Sequence, residues 1–464
     1  MCSRAGMSRA GMMSLRCLCR LVLRFLPRIS ALSPNLLKTL KADGDVHSPL
    51  MKETAIMGSE SSELPVDILM DIFALLEIPD LLRAGSVCSS WHSAYTILRS
   101  SEMYRWPQTP CLFYTSESDG DNVACLYSLA EKRVYELALP DIPIRRMHLI
   151  GSHNGWLVIA DEMSELHIIN PITGQRVALP SVATIEQVKP IFDDAGALQE
   201  YEFSQYFGEE ELADPSFHAP SSLRNHLYAK AFVFPDPATK SYIVALIHNP
   251  VNQLSFTRVG DSEWTWLPPS GDYEDCIYID GVLYALRGTG AIDAFDLTGP
   301  DVSRKVFMDD MKDYVYECLY IVQTPSGDVL QVLREQDVAA TDSHGKDVVD
   351  ISEMRKETRK ITVYKVDMAA KEFLRINGLN EHVLFLGHNQ SLCLAAEEFP
   401  HLKANHAYLT DNDGCIASFR SNHRNIGIFS LGNGSTEEIV PPQLWCSWPA
   451  PIWITPNLRK MSLD

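Results

Sequence analysis

From about residue 110 onward one short unit recurs along the chain, and a repeat of this kind limits the possible folds more than any single motif does. Each copy has an apolar run, a turn, a second run ending near Asn or Asp, a tight turn, and a third run that often closes on Pro. The clearest copy runs from Gly155 to Ala160, then Leu166 to Asn170, the turn Pro171-Ile172-Thr173-Gly174, and Val177 to Leu179. Short runs bounded by turn residues read as strands. With the turn after the second run as a marker, copies fall near residues 130, 171, 260, 298, 368 and 432. Two of the gaps are close to forty residues and the larger ones leave room for divergent units or inserted loops. A repeat of about 40 to 50 residues with roughly four strands each predicts a β-propeller, here of six or seven blades. A sandwich does not ask for such a period.

The segment ahead of the repeat has a different character. In LPVDILMDIFALLEIPDLLRAGSVCSSWHSAYTIL, residues 64–98, Pro65 is placed for a helix start, where its missing N–H costs nothing. Ile68, Ile72, Phe73, Leu75 and Leu76 then form one apolar stripe. Pro79 stops that helix, Asp80 caps a second one carrying Leu81 and Leu82, and Val87, Cys88 and Trp91 carry the stripe through a third. About forty residues bury too little apolar surface to stand alone, so exposed stripes on such a unit predict binding.

Three signatures in this stretch, L-P-x-x-I-L-x-x-I-F-x-x-L, P-D-L-L-R and V-C-x-x-W, together resemble the F-box. That resemblance implies docking on a Skp-type adaptor and, through it, on a cullin. It assigns Leu64, Pro65, Ile68, Ile72, Leu82, Val87, Cys88 and Trp91 to the adaptor interface or its immediate support. Ala84-Gly85 departs from the pattern, since many family members carry larger residues there. Farther on, GSHNGWLVIADEMSELHIINPITGQRVALP, WTWLPPSGDYEDCIYIDGVLYALRGTGAIDAFDL, HVLFLGHNQSLCLAAEEFP, NIGIFSLGNGSTEEI and PAPIWITP resemble, in that order, plant F-box proteins whose C-terminal region is domain of unknown function 295, a KIB-type propeller. The resulting expectation is an α+β multidomain chain: a basic leader over 1–58, a three-helix F-box over 59–105 and an all-β propeller over 106–464. The function implied is the substrate-recognition subunit of a Skp-cullin-F-box ubiquitin ligase, which is not itself an enzyme. Its propeller selects a protein target that the sequence does not name. A propeller scaffold that assembles no ligase, and a propeller enzyme, are the alternatives.

Composition narrows the partners. A formal net charge of -20 argues against nucleic acid, which needs clustered Lys and Arg. Eleven scattered cysteines with no C-x-x-C pair read as reduced thiols, so the expected location is the cytoplasm and nucleus. Residues 1–62 instead carry nine Lys/Arg against four Asp/Glu, with Arg4, Arg9, Arg16, Arg20, Arg24 and Arg28 interleaved among apolar residues. A mitochondrial or plastid transit peptide shares that composition; a disordered tail or an upstream extension ahead of Met57 are the plainer readings. Arginines interrupt the leader too often for a transmembrane span.

No cofactor is expected. His148 with His153, and His401 with His406, lack the spacing and acidic company of a metal site. Gly288-Thr289-Gly290 and Gly432-Asn433-Gly434 open neither a phosphate loop nor a dinucleotide fingerprint. The Trp pair Trp264 and Trp266, and Trp445, Trp448 and Trp453, are expected to pack blades. The one candidate for target recognition is the segment 190–223, read as an inserted acidic loop studded with Tyr201, Phe203, Tyr206 and Phe207. A second insertion, 336–360, is expected to be a linker within a blade.

Overall fold

The structure is a computed structural model that describes residues 64–101, 108–116, 119–268, 271–299, 302–311, 318–339, 355–412, 425–439 and 449–461. The basic leader, Trp445 and Trp448 lie outside the described residues. These residues divide into two compact units, one holding 64–75 and 81–101, the other 76–80 and 108–461.

The smaller unit carries α1 (Val66–Phe73), α3 (Ser89–Ser100) and most of α2 (Ile78–Gly85). Of the apolar stripe read from the sequence, Ile72 and Phe73 are buried in this unit, Ile68, Leu75 and Trp91 are half-buried, and Val87 and Cys88 are exposed; the buried face is completed by Leu69 of α1 and by Ala94, Tyr95 and Leu98 of α3. Two helix boundaries differ from the sequence expectation. The first helix ends at Phe73, and Pro79 lies in the first turn of α2, where a residue without an N–H breaks no helical bond. Asp80 is therefore inside α2 and not its cap. Gly85, the departure from the F-box pattern, has a local cause. A Cβ there would sit 2.8 Å from the Tyr95 ring, so the larger residue expected at this position is excluded by the aromatic residue opposite.

In the larger unit six sheets form a ring. Blade 1 runs Ile452–Ile454, Cys111–Tyr114, Val123–Ser128 and Arg133–Ala138; blade 2 runs His148–His153, Trp156–Ala160, Leu166–Ile169 and Arg176–Ala178. Blade 3 contains Tyr228–Asp236, Ser241–His248, Gln253–Arg258 and Thr265–Trp266; blade 4 contains Tyr273–Ile279, Val282–Arg287, Ile292–Asp296 and Ser303–Met308. Blade 5 is Cys318–Gln323, Val329–Ala339, Arg355–Asp367 and Glu372–Ile376. Each marker turn seen in the sequence falls between the last two strands of one blade, so the six markers identify the six blades.

Apolar clusters fill the gap between each pair of neighbours: blades 1 and 2, 2 and 3, 3 and 4, 4 and 5, 5 and 6, and 6 and 1. That cyclic order closes the ring. The C-terminal strand completes the first blade, with Phe113 opposite Ile452 and Leu112 opposite Trp453, which joins the two ends of the propeller through a β ladder.

Three departures from the repeat stand out. The acidic segment is not a loop. It forms a three-stranded antiparallel sheet (Val188–Phe192, Leu198–Phe207, Glu210–His218) followed by α4 (Pro220–Leu227), inserted between blades 2 and 3. The alternating apolar residues of its middle strand allow one face to pack on the ring. In blade 5 the second insertion extends a hairpin, paired as far as Ala339 opposite Arg355, where a linker was expected; residues 340–354 lie outside the described residues. Blade 6 has five strands, in the spatial order Leu392–Ala395, His382–Leu386, His406–Leu409, Gly427–Ser430 and Thr436–Glu437, and His382–Leu386 pairs in parallel with His406–Leu409. The chain folds back along the inner side of that strand and crosses over before continuing outward.

At the inner strands a polar cluster joins four blades. The Asp275 carboxylate of blade 4 accepts from Lys230 Nζ of blade 3 at 3.0 Å, from Ile321 N of blade 5 at 3.0 Å and from Ser391 Oγ of blade 6 at 2.5 Å. Asp275 is 0% exposed and Lys230 6%. Lys230 Nζ also lies 5.3 Å from the centre of the Phe232 ring and 5.4 Å from that of Tyr320. Blades 2 and 3 meet so closely that a Cβ on Gly151 would lie 2.0 Å from the Ala231 carbonyl oxygen.

Asp275→Ala is expected to destabilise the protein by about 3 to 5 kcal/mol, because Lys230 would be left buried without its counter-charge. Urea unfolding of the variant checks this, and Lys230→Met/Asp275→Leu together should recover much of the loss. Gly151→Ala should cost at least about 1 to 3 kcal/mol by forcing two inner strands apart, read as a lowered urea midpoint.

Candidate functional site

The helical unit presents most of its predicted adaptor-binding residues to solvent. Pro65, Val87 and Cys88 are exposed, and Leu64, Ile68, Leu82 and Trp91 are half-buried. Ile72 is buried and supports the others from inside. Cys88 is the residue ahead of α3, and Trp91 packs edge-on against Phe73, with ring centres 5.3 Å apart. Val66 and Ile97, at 37% and 41% exposed, add two apolar side chains that the motif comparison did not single out. Their signal in the sequence is weak, because each stands at an ordinary helical position.

In the larger unit, the segment just before Leu81 is held by polar contacts. Ile78 N donates to Gln108 Oε1 at 2.6 Å, Thr109 N and Oγ1 donate to the Glu77 carboxylate, and Tyr135 Oη donates to Asp80 Oδ1 at 3.0 Å.

Of the four aromatic candidates for target recognition, Tyr201 and Phe203 are 2% and 3% exposed and belong to the core between blades 2 and 3. They hold the inserted sheet on the ring and, being buried, do not offer a contact surface to a target. Tyr206 and Phe207 remain half-exposed. Tyr206 Oη donates to Glu186, and its ring meets Trp266 at 84°. The side chains that do face solvent on this sheet are Phe192, Leu212 and Phe217, at 57%, 46% and 56% exposed. Trp264 packs as expected, buried with its indole N–H donating to the Pro180 carbonyl, and Trp453 lies in the core between blades 6 and 1.

Two buried charged side chains, Asp275 on the inner strand of blade 4 and Arg334 on the second strand of blade 5, are engaged by other protein groups. Both Asp275 oxygens have partners, and Arg334 donates to Thr358, Tyr320 and the Thr410 carbonyl. A carboxylate with both oxygens taken suits a structural role better than a catalytic one, which needs a group open to substrate. Among the described residues no group of His, Cys, Asp and Glu has the geometry of a metal site.

A cavity of about 430 Å³ opens where the crossover of blade 6 meets blades 1 and 2. Its wall includes Ser152 and His153 from blade 2, Phe385, Gln390, Leu392 and Leu394 from blade 6, and Trp453 from the closing strand. Sequence reasoning missed these residues. His388-Asn389-Gln390 reads as a polar turn between two strands, and no spacing rule places it beside residues near 152 and 453.

A family model described as KIB1-4 beta-propeller matches residues 126–430. The chain belongs to that family. The match runs from within blade 1 to the fourth strand of blade 6, and an F-box-like model matches residues 61–97, the helical segment. Three relatives of this KIB1-4 family chain, all from Arabidopsis thaliana and all named as F-box proteins, are At4g22180, At2g33190 and At2g05970. The first is 26% identical over 233 residues, 49% of this chain and 52% of the relative, so the chain spans about half of that relative's length. The second is 23% identical over 71% of this chain and 80% of the relative, and the third 23% identical over 76% and 85%.

Burial lowers the pKa of His148 to about 3 and that of His248 to about 4, so both rings are neutral in the fold. The unfolded chain takes up their protons near pH 6.5 and therefore binds more protons below that value. Their stabilisation is complete above about pH 6.5 and falls as pH drops toward 4, by about 1.4 kcal/mol per pH unit for each ring. Urea unfolding at pH 7 and pH 5 should show the loss, with a shallower slope in His248→Gln.

Proposed function

We propose that this chain is the substrate-recognition subunit of a Skp-cullin-F-box ubiquitin ligase. What supports the reading is a single arrangement: an F-box-like helical unit that leaves Pro65, Val87, Cys88 and part of Trp91 at its surface, on the same chain as a closed propeller. Apolar side chains kept in water on a small helical unit are unfavourable unless a partner covers them. The Skp-type adaptor covers them in this reading, and the cullin follows through the adaptor. The propeller holds the target, an unidentified protein, near the ubiquitin-transferring partner, so its contribution to catalysis is proximity. Tyr206 and Phe207, with the exposed apolar residues of the inserted sheet, are the surface we assign to the target. The cytoplasm and nucleus are the corresponding locations.

Calorimetric binding of the full chain to a Skp-type adaptor tests the proposal. Trp91→Ala should weaken binding by about 2 kcal/mol or more, roughly thirtyfold. Val87→Glu should do the same without touching the helical core, which separates lost docking from lost folding. A folded wild-type chain that does not bind, or variants that bind as well as wild type, would overturn the reading in favour of a propeller scaffold that assembles no ligase.

A further inference from the structure

We propose that the cavity beside the blade 6 crossover binds a small, uncharged organic molecule with a flat apolar body and an amide-like edge that both donates and accepts a hydrogen bond. The site is independent of the adaptor reading, since all of its walls belong to the propeller unit.

Its origin lies in the fold. In a regular blade the inner strand runs straight along the axis; in blade 6 the inner strand Leu392–Ala395 is only four residues long, and it follows the turn His388-Asn389-Gln390. The short strand and the crossover leave space against the closing strand of blade 1 and the end of the inner strand of blade 2. At about 430 Å³ the space is in the range of small-molecule sites.

The chemistry of the wall selects the ligand. Phe385, Leu392, Leu394, Phe399 and Trp453 supply apolar surface, suited to a flat ring. Among the described residues of the wall, three side chains carry buried polar atoms without a partner in the protein: the Asn389 Oδ1 and Gln390 Oε1 acceptors and the Trp453 Nε1 donor. Trp453 itself is 2% exposed. A buried polar atom without a partner is costly, and a ligand that supplies one recovers that cost. Two unpaired acceptors and one unpaired donor ask for a molecule with N–H groups to give and an oxygen to receive, as a primary amide has.

Charge is disfavoured. Among the described residues of the wall there is no Lys or Arg to pair with an anion. His153 is also neutral, because burial lowers its pKa to about 4. Among the described residues Glu398 is the single carboxylate of the wall, and it is exposed, where water screens it. Neither a carboxylate or phosphate ligand nor a desolvated ammonium finds a buried counter-charge.

The test uses the full chain and three probes of one shape: 2-naphthamide, 2-naphthoate and 2-naphthylmethylammonium, with saturation followed by ligand-observed NMR. The amide is expected to bind with a Kd on the order of 100 μM, in keeping with the efficiency of small ligands, and each charged probe at least about tenfold more weakly. Trp453→Phe keeps the ring and removes the N–H, so amide affinity should fall about tenfold with little change in thermal midpoint. Leu394→Trp fills the space from a half-buried position and should abolish binding of all three. The inference is overturned if the amide does not saturate, if a charged probe binds as tightly, or if amide binding survives Leu394→Trp unchanged.

Discussion

One carboxylate at the axis carries the architecture. Asp275 is fully buried, and its two oxygens receive a lysine ammonium, a backbone N–H and a serine hydroxyl from three other blades. Apolar clusters between neighbouring blades are non-directional and would tolerate some sliding. A carboxylate satisfied from three directions does not, because each displaced partner leaves a polar group unpaired in a dry interior. The ion pair adds little stability beyond a well-packed apolar replacement. Its effect is to fix the relative positions of blades 3 to 6, and the near-contact of Gly151 with Ala231 extends that fixed spacing to blade 2.

Ring closure depends on the same economy. The closing strand Ile452–Ile454 pairs with Cys111–Tyr114 through three residues, a short ladder for a joint that holds the two ends of a long chain. Side chains reinforce it. Trp453 meets Phe385 and Tyr408 edge-on at 5.2 and 6.1 Å, and the Ser152 hydroxyl of blade 2 donates to the Trp453 carbonyl. The closing strand is thus anchored in blades 6, 1 and 2 together.

Most of the ring was legible in the sequence because its signals are local. The turns near 130, 171, 260, 298, 368 and 432 lie within single hairpins, where Gly, Asn, Asp and Pro act through their own backbone preferences. The three helices were legible for the same reason, apart from the role of Pro79, since a proline that ends one helix and one that begins the next look alike in sequence. What escaped was long-range. Tyr201 and Phe203 alternate with charged residues, which suits an exposed acidic loop as well as a half-buried strand; only the packing against Leu223, Leu227 and the blade 2 strands decides. The parallel pair in blade 6 leaves no periodic mark, and the meeting of Gln390 with Trp453 spans residues that no spacing connects. Gly85 was visible as a departure but explained only by Tyr95, ten residues on.

The departures from sixfold regularity also bear on where recognition is possible. The Asp275 carboxylate is consumed by contacts between blades, and the apolar clusters fill the faces between them away from the blade 6 crossover, so the regular part of the propeller offers a partner little beyond its rims. The inserted sheet, the extended hairpin of blade 5 and the crossover of blade 6 are free of that constraint, because none of them has to match a neighbour on both sides. The inserted sheet shows how the freedom is used: one face repays its anchoring with Tyr201 and Phe203, while Phe192, Leu212 and Phe217 stay in water beside a row of acids. In the function proposed above this is the surface assigned to the target, and the carboxylates around its aromatic groups would favour a partner of complementary charge.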